Sequence, residues 1–131
     1  MPGGSVKQRV GVLGLSFKPD TDDVRESVAI AVVRALASRG AKVRAHDPKA
    51  LEPARRELAG VRGITFCKRA ADVFTKADCV LLLTEWPEYA KLDLKRLKPK
   101  MAHPTILDGR NLLDAEAVRK LGFTYRGVGR Q

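Results

Sequence analysis

Aromatic residues are scarce, with four Phe, two Tyr and one Trp in 131 residues. None interleaves the densest basic run, Lys91-Leu92-Asp93-Leu94-Lys95-Arg96-Leu97-Lys98-Pro99-Lys100, which argues against a stacking platform for single-stranded nucleic acid. That run reads instead as a packed connector, with Leu92, Leu94 and Leu97 inward and solvated lysines outward. Cysteine is scarcer still. Cys67 and Cys79 form no C-x-x-C pair, and His46 and His103 do not bracket them, so metal, disulfide and nucleophile roles lack a pattern. Both read as reduced, buried thiols. No apolar stretch approaches ~18 residues, which excludes a membrane-spanning helix. Met1-Pro2-Gly3-Gly4-Ser5 has no apolar h-region and reads as a short flexible lead-in or a cloning scar, not a signal peptide. A cytoplasmic protein is expected. Acidic residues are outnumbered, 15 against 25 Lys and Arg, for a net charge of +10. Such a balance favours an anionic partner.

What is present is an alternation of short apolar runs and helix-like segments. Strands are expected at Val10–Leu15, Lys42–His46, Ile64–Cys67, Cys79–Leu83, Thr105–Asp108 and Phe123–Gly127. Helices are expected from about Asp22–Asp23 to Ser38, then over Leu51–Leu58, Ala70–Lys76 and Ala115–Leu121. In the first helix Val28, Ala31, Val32, Ala35 and Leu36 share one face by i, i+3, i+4 spacing. Alternation of this kind predicts an α/β fold: a doubly wound, mostly parallel six-stranded sheet with helices on both faces, Rossmann-like. With no internal repeat and no low-complexity tract, residues 6–131 read as one domain.

In open α/β sheets ligands bind at the carboxyl ends of the strands. The stretch Gly14-Leu15-Ser16-Phe17-Lys18-Pro19-Asp20-Thr21-Asp22-Asp23-Val24-Arg25-Glu26-Ser27 is a turn at such an end and carries two cations. Lys18 either meets a phosphate or sugar hydroxyl or snorkels at the surface. Arg25 sits among Asp22, Asp23 and Glu26. It either completes a local ion-pair network or presents its guanidinium to a ligand. Asp108-Gly109-Arg110-Asn111 follows another strand at the same edge. Arg110 can present a fork to an anion, with Asp108 and Asn111 capping the turn or orienting it. Asp47 is expected to cap the following helix. Trp86 walls the cleft or packs at a subunit or domain interface, the second being the stronger reading. Gly11 and Gly14 do not make G-x-G-x-x-G, so this turn is not expected to bind a dinucleotide. They read as points of close packing. No nucleophile–base pair and no metal cluster is present, so the chain is expected to bind and not to catalyse. Composition alone leaves two other readings open, a basic nucleic-acid-binding domain and a freestanding Rossmann-like assembly module.

The turn resembles the G-L-A-F-K-P-x-T-D-D-x-R-E-S motif that opens the C-terminal, UDP-binding domain of the UDP-glucose/GDP-mannose dehydrogenase family. The resemblance continues through Ala45-His46-Asp47-Pro48 (Y-D-P in the family), Thr84-Glu85-Trp86 (T-E-W) and Asp108-Gly109-Arg110-Asn111 (D-G-R-N). These come in the family's order from about Val6 to Arg130. The pattern fits the bacterial UDP-glucose 6-dehydrogenase branch best. It departs at Val28, where the family has Pro, and at His46. The resemblance implies a part of an NAD-dependent enzyme that oxidises UDP-glucose to UDP-glucuronate in two hydride transfers, through a thioester on a cysteine. That cysteine and the NAD-binding domain would lie outside this chain, and the full-length enzyme would be a homodimer. By motif match Phe17, Lys18 and Arg110 would contact the UDP-sugar, and Arg25 would reach NAD bound by the other domain.

Overall fold

The computed structural model describes residues 8–25 and 27–128; the expected Met1–Ser5 lead-in, and Glu26, lie outside them. Six strands form one sheet: β1 Arg9–Leu13, β2 Lys42–His46, β3 Ile64–Phe66, β4 Cys79–Leu82, β5 Thr105–Asp108 and β6 Thr124–Gly127. Their order is β3-β2-β1-β4-β5-β6, and every pairing is parallel. The chain thus winds outward in both directions from β1 and β4. The change of direction between these two strands places a crevice at their carboxyl ends. No described helix is long and apolar enough to cross a membrane.

Helices α1 (Val28–Ser38) and α2 (Leu51–Glu57) pack on one face, over Val10, Val12, Val43 and Ala45. The short helices α3 (Leu94–Leu97) and α4 (Ala115–Lys120) lie on the other, with Phe74, Val80, Leu82, Tyr89, Ile106 and Tyr125. The expected helix at Ala70–Lys76 is a 3-10 turn over Ala70–Phe74. Leu94 and Leu97 of the basic run are buried and its lysines lie outward or at the margin, as a packed connector requires. Cys67 is buried and Cys79 half-buried, and both are free thiols.

Two expectations about α1 fail. The helix begins at Val28, not near Asp22–Asp23. The acidic residues are used by the loop: Phe17 N–H donates to the Asp23 carbonyl at 2.7 Å, and the Asp23 carboxylate accepts the Arg25 N–H at 2.9 Å. Val24 anchors the loop in the core. The buried residues of α1 are Ala29, Ile30 and Val33, whereas Val28 is 73% exposed. Val28-Ala29-Ile30-Ala31-Val32-Val33 is apolar all round, so spacing alone does not select the face.

The loop is bolted down at its base by Asp47. Its Oδ2 accepts from Leu15 N at 2.8 Å, Ser16 N at 2.9 Å, Ser16 Oγ at 2.9 Å and Trp86 Nε1 at 3.1 Å. Its Oδ1 accepts from the N–H groups of Lys49 and Ala50, both at 2.9 Å. The expected capping of α2 is not found: its N-cap residue is Ala50, with no side-chain cap, and Asp47 instead fastens the turn ahead of the helix. Trp86 neither walls the cleft nor waits for a partner. It is 5% exposed and spends its indole N–H on Asp47 and Ser16. Burial pushes the Asp47 carboxyl up, but the donated N–H groups of Leu15, Lys49, Ser16 and Ala50 outweigh it and hold the group below its usual range.

Gly14 has φ +101°, and a Cβ there would lie 2.5 Å from Thr84 N. Gly14→Ala is expected to cost on the order of 3 kcal/mol through clash and strain together, read as a fall in the urea midpoint. Asp47→Asn is expected to cost about 3 kcal/mol, because an amide nitrogen would face donors that need a carboxylate. Asp47 has a depressed folded pKa, so its contribution is complete above the ordinary value of 3.8 and is lost as pH falls through the folded value. Urea titrations from neutral pH down to about 3 should show wild-type stability dropping below about pH 4. The Asn variant should lack that part of the slope.

Candidate functional site

The strand ends at the carboxyl edge carry the motifs. After β1 come Gly14 to Ser27, after β2 Asp47, after β4 Thr84-Glu85-Trp86, and after β5 Gly109-Arg110-Asn111. Three hydroxyls and Asp47 tie the first of these to its neighbours. Thr84 Oγ1 donates to the Ser16 carbonyl at 2.8 Å, Ser27 Oγ donates to the Leu15 carbonyl at 2.8 Å, and Ser16 Oγ reaches Asp47. Residues 15 and 16 are thereby fixed from three directions, and the chain emerges at Phe17 and Lys18.

A cleft of about 330 Å3 opens there, lined by Ser16, Phe17, Lys18, Val28, Leu83 and Arg110 among others. The structure thus brings Phe17, Lys18 and Arg110 together. Phe17 is 54% exposed, an apolar ring presented to solvent beside an ammonium. Arg110 is held by Glu85 in a two-pronged pair, Nε to Oε1 at 3.0 Å and Nη2 to Oε2 at 2.8 Å. The pairing lowers the Glu85 carboxyl and raises the Arg110 guanidinium. It also leaves the Nη1 hydrogens for a ligand. Asp108 does not orient the Arg110 side chain. It caps the turn, accepting from Arg110 N at 3.1 Å, Leu113 N at 2.8 Å and the Tyr125 hydroxyl at 2.8 Å. Asn111, at φ +54°, donates from Nδ2 to the Val128 carbonyl at 2.7 Å.

Arg25 lies elsewhere. It lines a separate depression with Asp22, Asp23, Val24, Pro53, Arg56 and Glu57. Its guanidinium is paired with Asp23, Nε to Oδ1 at 3.1 Å and Nη2 to Oδ2 at 3.2 Å, with the side chain 83% exposed. Hydrogen bonds from Arg25 hold the Asp23 carboxyl down. The local ion pair exists, then, and it presents the guanidinium outward.

His46 is a core residue. Its Nδ1 lies 3.0 Å from the Tyr89 hydroxyl, which also lies 3.2 Å from the His46 carbonyl. Burial lowers the His46 pKa and raises that of Tyr89, leaving a neutral pair beneath the loop. Burial likewise raises both cysteine thiols, the opposite of what a thiolate nucleophile needs. Among the described residues no group of His, Cys, Asp and Glu could hold a metal ion. The β1–α1 turn is no cradle for a dinucleotide pyrophosphate: Thr84 fills the space beside Gly14, and α1 starts only at Val28. What reading residues in order missed is Glu85 as the partner of Arg110 and Trp86 as a donor to Asp47. Both contacts join motifs distant in sequence, and the only signal for them was their common place at strand ends.

Comparison with known proteins agrees with this geometry. Residues 11–115 match the UDP binding domain of the UDP-glucose/GDP-mannose dehydrogenase family. The UDP-glucose 6-dehydrogenase of Rhizobium meliloti is 41% identical over 129 residues, which is 98% of this chain and 29% of that protein. UDP-glucose 6-dehydrogenase TuaD of Bacillus subtilis is 38% identical, over 97% of this chain and 27% of that protein. Among solved structures, a UDP-glucose dehydrogenase from Pyrobaculum islandicum superposes with a TM-score of 0.77 at 36% identity, covering 96% of this chain and 26% of that one. The chain therefore spans less than a third of the length of these relatives. With the four motifs gathered at one sheet edge and the match running through them, the chain belongs to the UDP-glucose/GDP-mannose dehydrogenase family and corresponds to its UDP-binding domain.

Proposed function

We propose that the cleft between Phe17, Lys18 and Arg110 is the UDP-sugar site of an NAD-dependent UDP-glucose 6-dehydrogenase, and that this chain binds without catalysing. The observation that carries the reading is the convergence of the Phe17-Lys18 turn and Arg110, from opposite sides of the β1/β4 switch point, on one cleft. Lys18 is a compact charge suited to a phosphate or a sugar hydroxyl. Arg110, steadied by Glu85, is a planar donor suited to phosphate oxygens or a carbonyl. Phe17 supplies an apolar wall against which a base or sugar can pack.

NAD in this reading belongs to another domain, and the fit of this chain supports that division. Its own β1–α1 turn is filled, and Arg25 is the cation it presents on a different side of the loop. Bound NAD supplies hydride acceptance; the residues here orient the sugar nucleotide and complete a cleft. The partners proposed are the UDP-sugar, the NAD-binding domain of the same enzyme and a second subunit, in the cytoplasm. Inert, burial-raised Cys67 and Cys79 support placing the thioester-forming cysteine outside this chain.

Calorimetric titration of this chain tests the reading. UDP and UDP-glucose should bind more tightly than the adenosine diphosphate of equal charge. Lys18→Ala and Arg110→Ala should each weaken UDP binding about tenfold, the loss of one charge-assisted hydrogen bond, with stability changed by less than about 0.5 kcal/mol because both side chains are exposed. Equal binding of ADP and UDP, or no UDP binding at millimolar protein, overturns it. Arg25→Ala should leave UDP binding by this chain unchanged. In the full-length enzyme the same change should raise the KM for NAD while sparing that for UDP-glucose; the reverse pattern would sink the assignment of Arg25.

A further inference from the structure

Strands inside a parallel sheet are normally apolar on both faces. β2 is not, although it lies between β3 and β1. Lys42-Val43-Arg44-Ala45-His46 alternates, with Lys42 and Arg44 exposed and Val43 and Ala45 buried. The register sets Arg9 beside Lys42, Gly11 beside Arg44 and Arg44 beside Thr65. Side chains alternate along a strand, so all of these share one face, the one opposite α1 and α2.

That face is roofed by the β3–β4 crossover, which here is only the 3-10 turn Ala70–Phe74. The turn sits over β1, where Gly11 admits it: a Cβ on Gly11 would lie 2.3 Å from the Val73 carbonyl oxygen. The turn also reaches β2 but leaves the amino end of the sheet open. The space left is a groove of about 440 Å3 at the amino end of β1, β2 and β3, lined by Arg9, Lys42, Arg44 and Lys76 with the hydroxyls of Thr65 and Thr75. No Asp or Glu lines it. Among the described residues none of these four cations makes a side-chain hydrogen bond or an ion pair. Asp78, outside the lining, accepts the Arg9 backbone N–H at 2.8 Å and is bound to His103 Nδ1 at 3.0 Å; it also attracts the Arg9 charge, but makes no side-chain hydrogen bond to it. Lys76 is held at the rim in the left-handed region, φ +58°, by its N–H to the Lys100 carbonyl at 2.7 Å. Residues kept in that region cluster at ligand clamps.

Four like charges around a concavity repel one another, and a compact multivalent anion relieves that repulsion. The concave shape suits a small ligand more than a duplex, which needs a surface that tracks its backbone. We propose that this groove is a second anion site, on the opposite edge of the sheet from the Phe17–Arg110 cleft, and that it binds an oligophosphate group, free or carried on a nucleoside. Its cations engage the phosphates and not the base.

The test is calorimetry on this chain with inorganic tripolyphosphate. One site is expected. Its Kd should weaken at least about tenfold in Lys42→Gln/Arg44→Gln and should be unchanged in Lys18→Ala/Arg110→Ala. Both substituted strand positions are exposed, and an unaltered thermal midpoint shows that the double variant is folded. ATP competing for the same site supports the class, and its affinity relative to tripolyphosphate tells whether a carrier is read. The proposal is overturned if tripolyphosphate does not bind, if sulfate binds as tightly, or if the double variant binds as wild type does. A duplex DNA that displaces tripolyphosphate, with affinity falling steeply between about 50 and 200 mM salt, also overturns it in favour of a nucleic-acid surface. UDP binding that fails in the cleft leaves this outcome untouched, since the two sites share no residue.

Discussion

One carboxylate joins three strand ends. Asp47 stands after β2, yet it binds the backbone after β1 and the indole of the residue that follows Glu85 after β4. A neutral side chain could not satisfy this set: every partner is a donor, so the hub must be an acceptor on all its lone pairs. Apart from the N–H of the exposed Lys49, these donors belong to buried residues and would be costly to leave unpaired. The position of Phe17 and Lys18 relative to Arg110 therefore depends on a group that touches no ligand. The loop itself has little regular structure. It keeps its form because its base is clamped and because Phe17 N–H closes on the Asp23 carbonyl.

The crowding at this edge also explains Gly14. Gly14 lies where β1 meets the end of β4, and Thr84 fills the space that a side chain would need. In a dinucleotide fold the corresponding space takes the pyrophosphate. Here protein occupies it, and Thr84 also donates its hydroxyl to the Ser16 carbonyl. A Rossmann-like frame has been turned from cradling phosphate at the glycine turn to holding a long loop there. The cleft proposed for the ligand lies farther out, against Phe17, Val28 and Arg110.

Much of this was legible in the chain. The fully apolar runs at Val10–Leu13 and Cys79–Leu82 became the two central strands, because a strand buried on both faces has no polar positions to confuse with anything else. The places of the Gly14–Ser27 turn and of Asp108-Gly109-Arg110-Asn111 at one sheet edge could be read from the strands they follow, whereas Asp47 fastens backbone and does not cap α2 as expected. The start of α1 could not, because Asp22 and Asp23 look like helix-opening residues and the competing use of Asp23 by Phe17 and Arg25 is a property of the folded loop. The buried face of α1 was hidden by apolarity on every side. Trp86 reads in the sequence as a cleft wall or an interface residue, since nothing local reveals that its N–H meets Asp47. The alternation in Lys42-Val43-Arg44-Ala45-His46 was in plain view. It took on meaning only when the sheet order put β2 in the interior and the crossover proved too short to cover it.

The two edges of the sheet use charge in opposite ways. At the carboxyl edge Glu85 sits against Arg110, and Asp23 sits against Arg25. Each guanidinium keeps its direction and surrenders most of its net field. A diphosphate would gain little there from bulk attraction, so discrimination must come from donor geometry and from the apolar wall of Phe17. Such a cleft would select more than it attracts, in keeping with the half-site proposed above. At the amino edge Arg9, Lys42, Arg44 and Lys76 have no carboxylate among the groove's lining residues. Asp78, just outside the lining, is drawn to Arg9, but no carboxylate within the groove answers Lys42, Arg44 or Lys76, which in the proposed reading favours attraction without selection of a base. The net charge of +10 is therefore not one property of the surface. In the proposed reading, the paired cation at the cleft serves orientation and the cations of the groove serve capture.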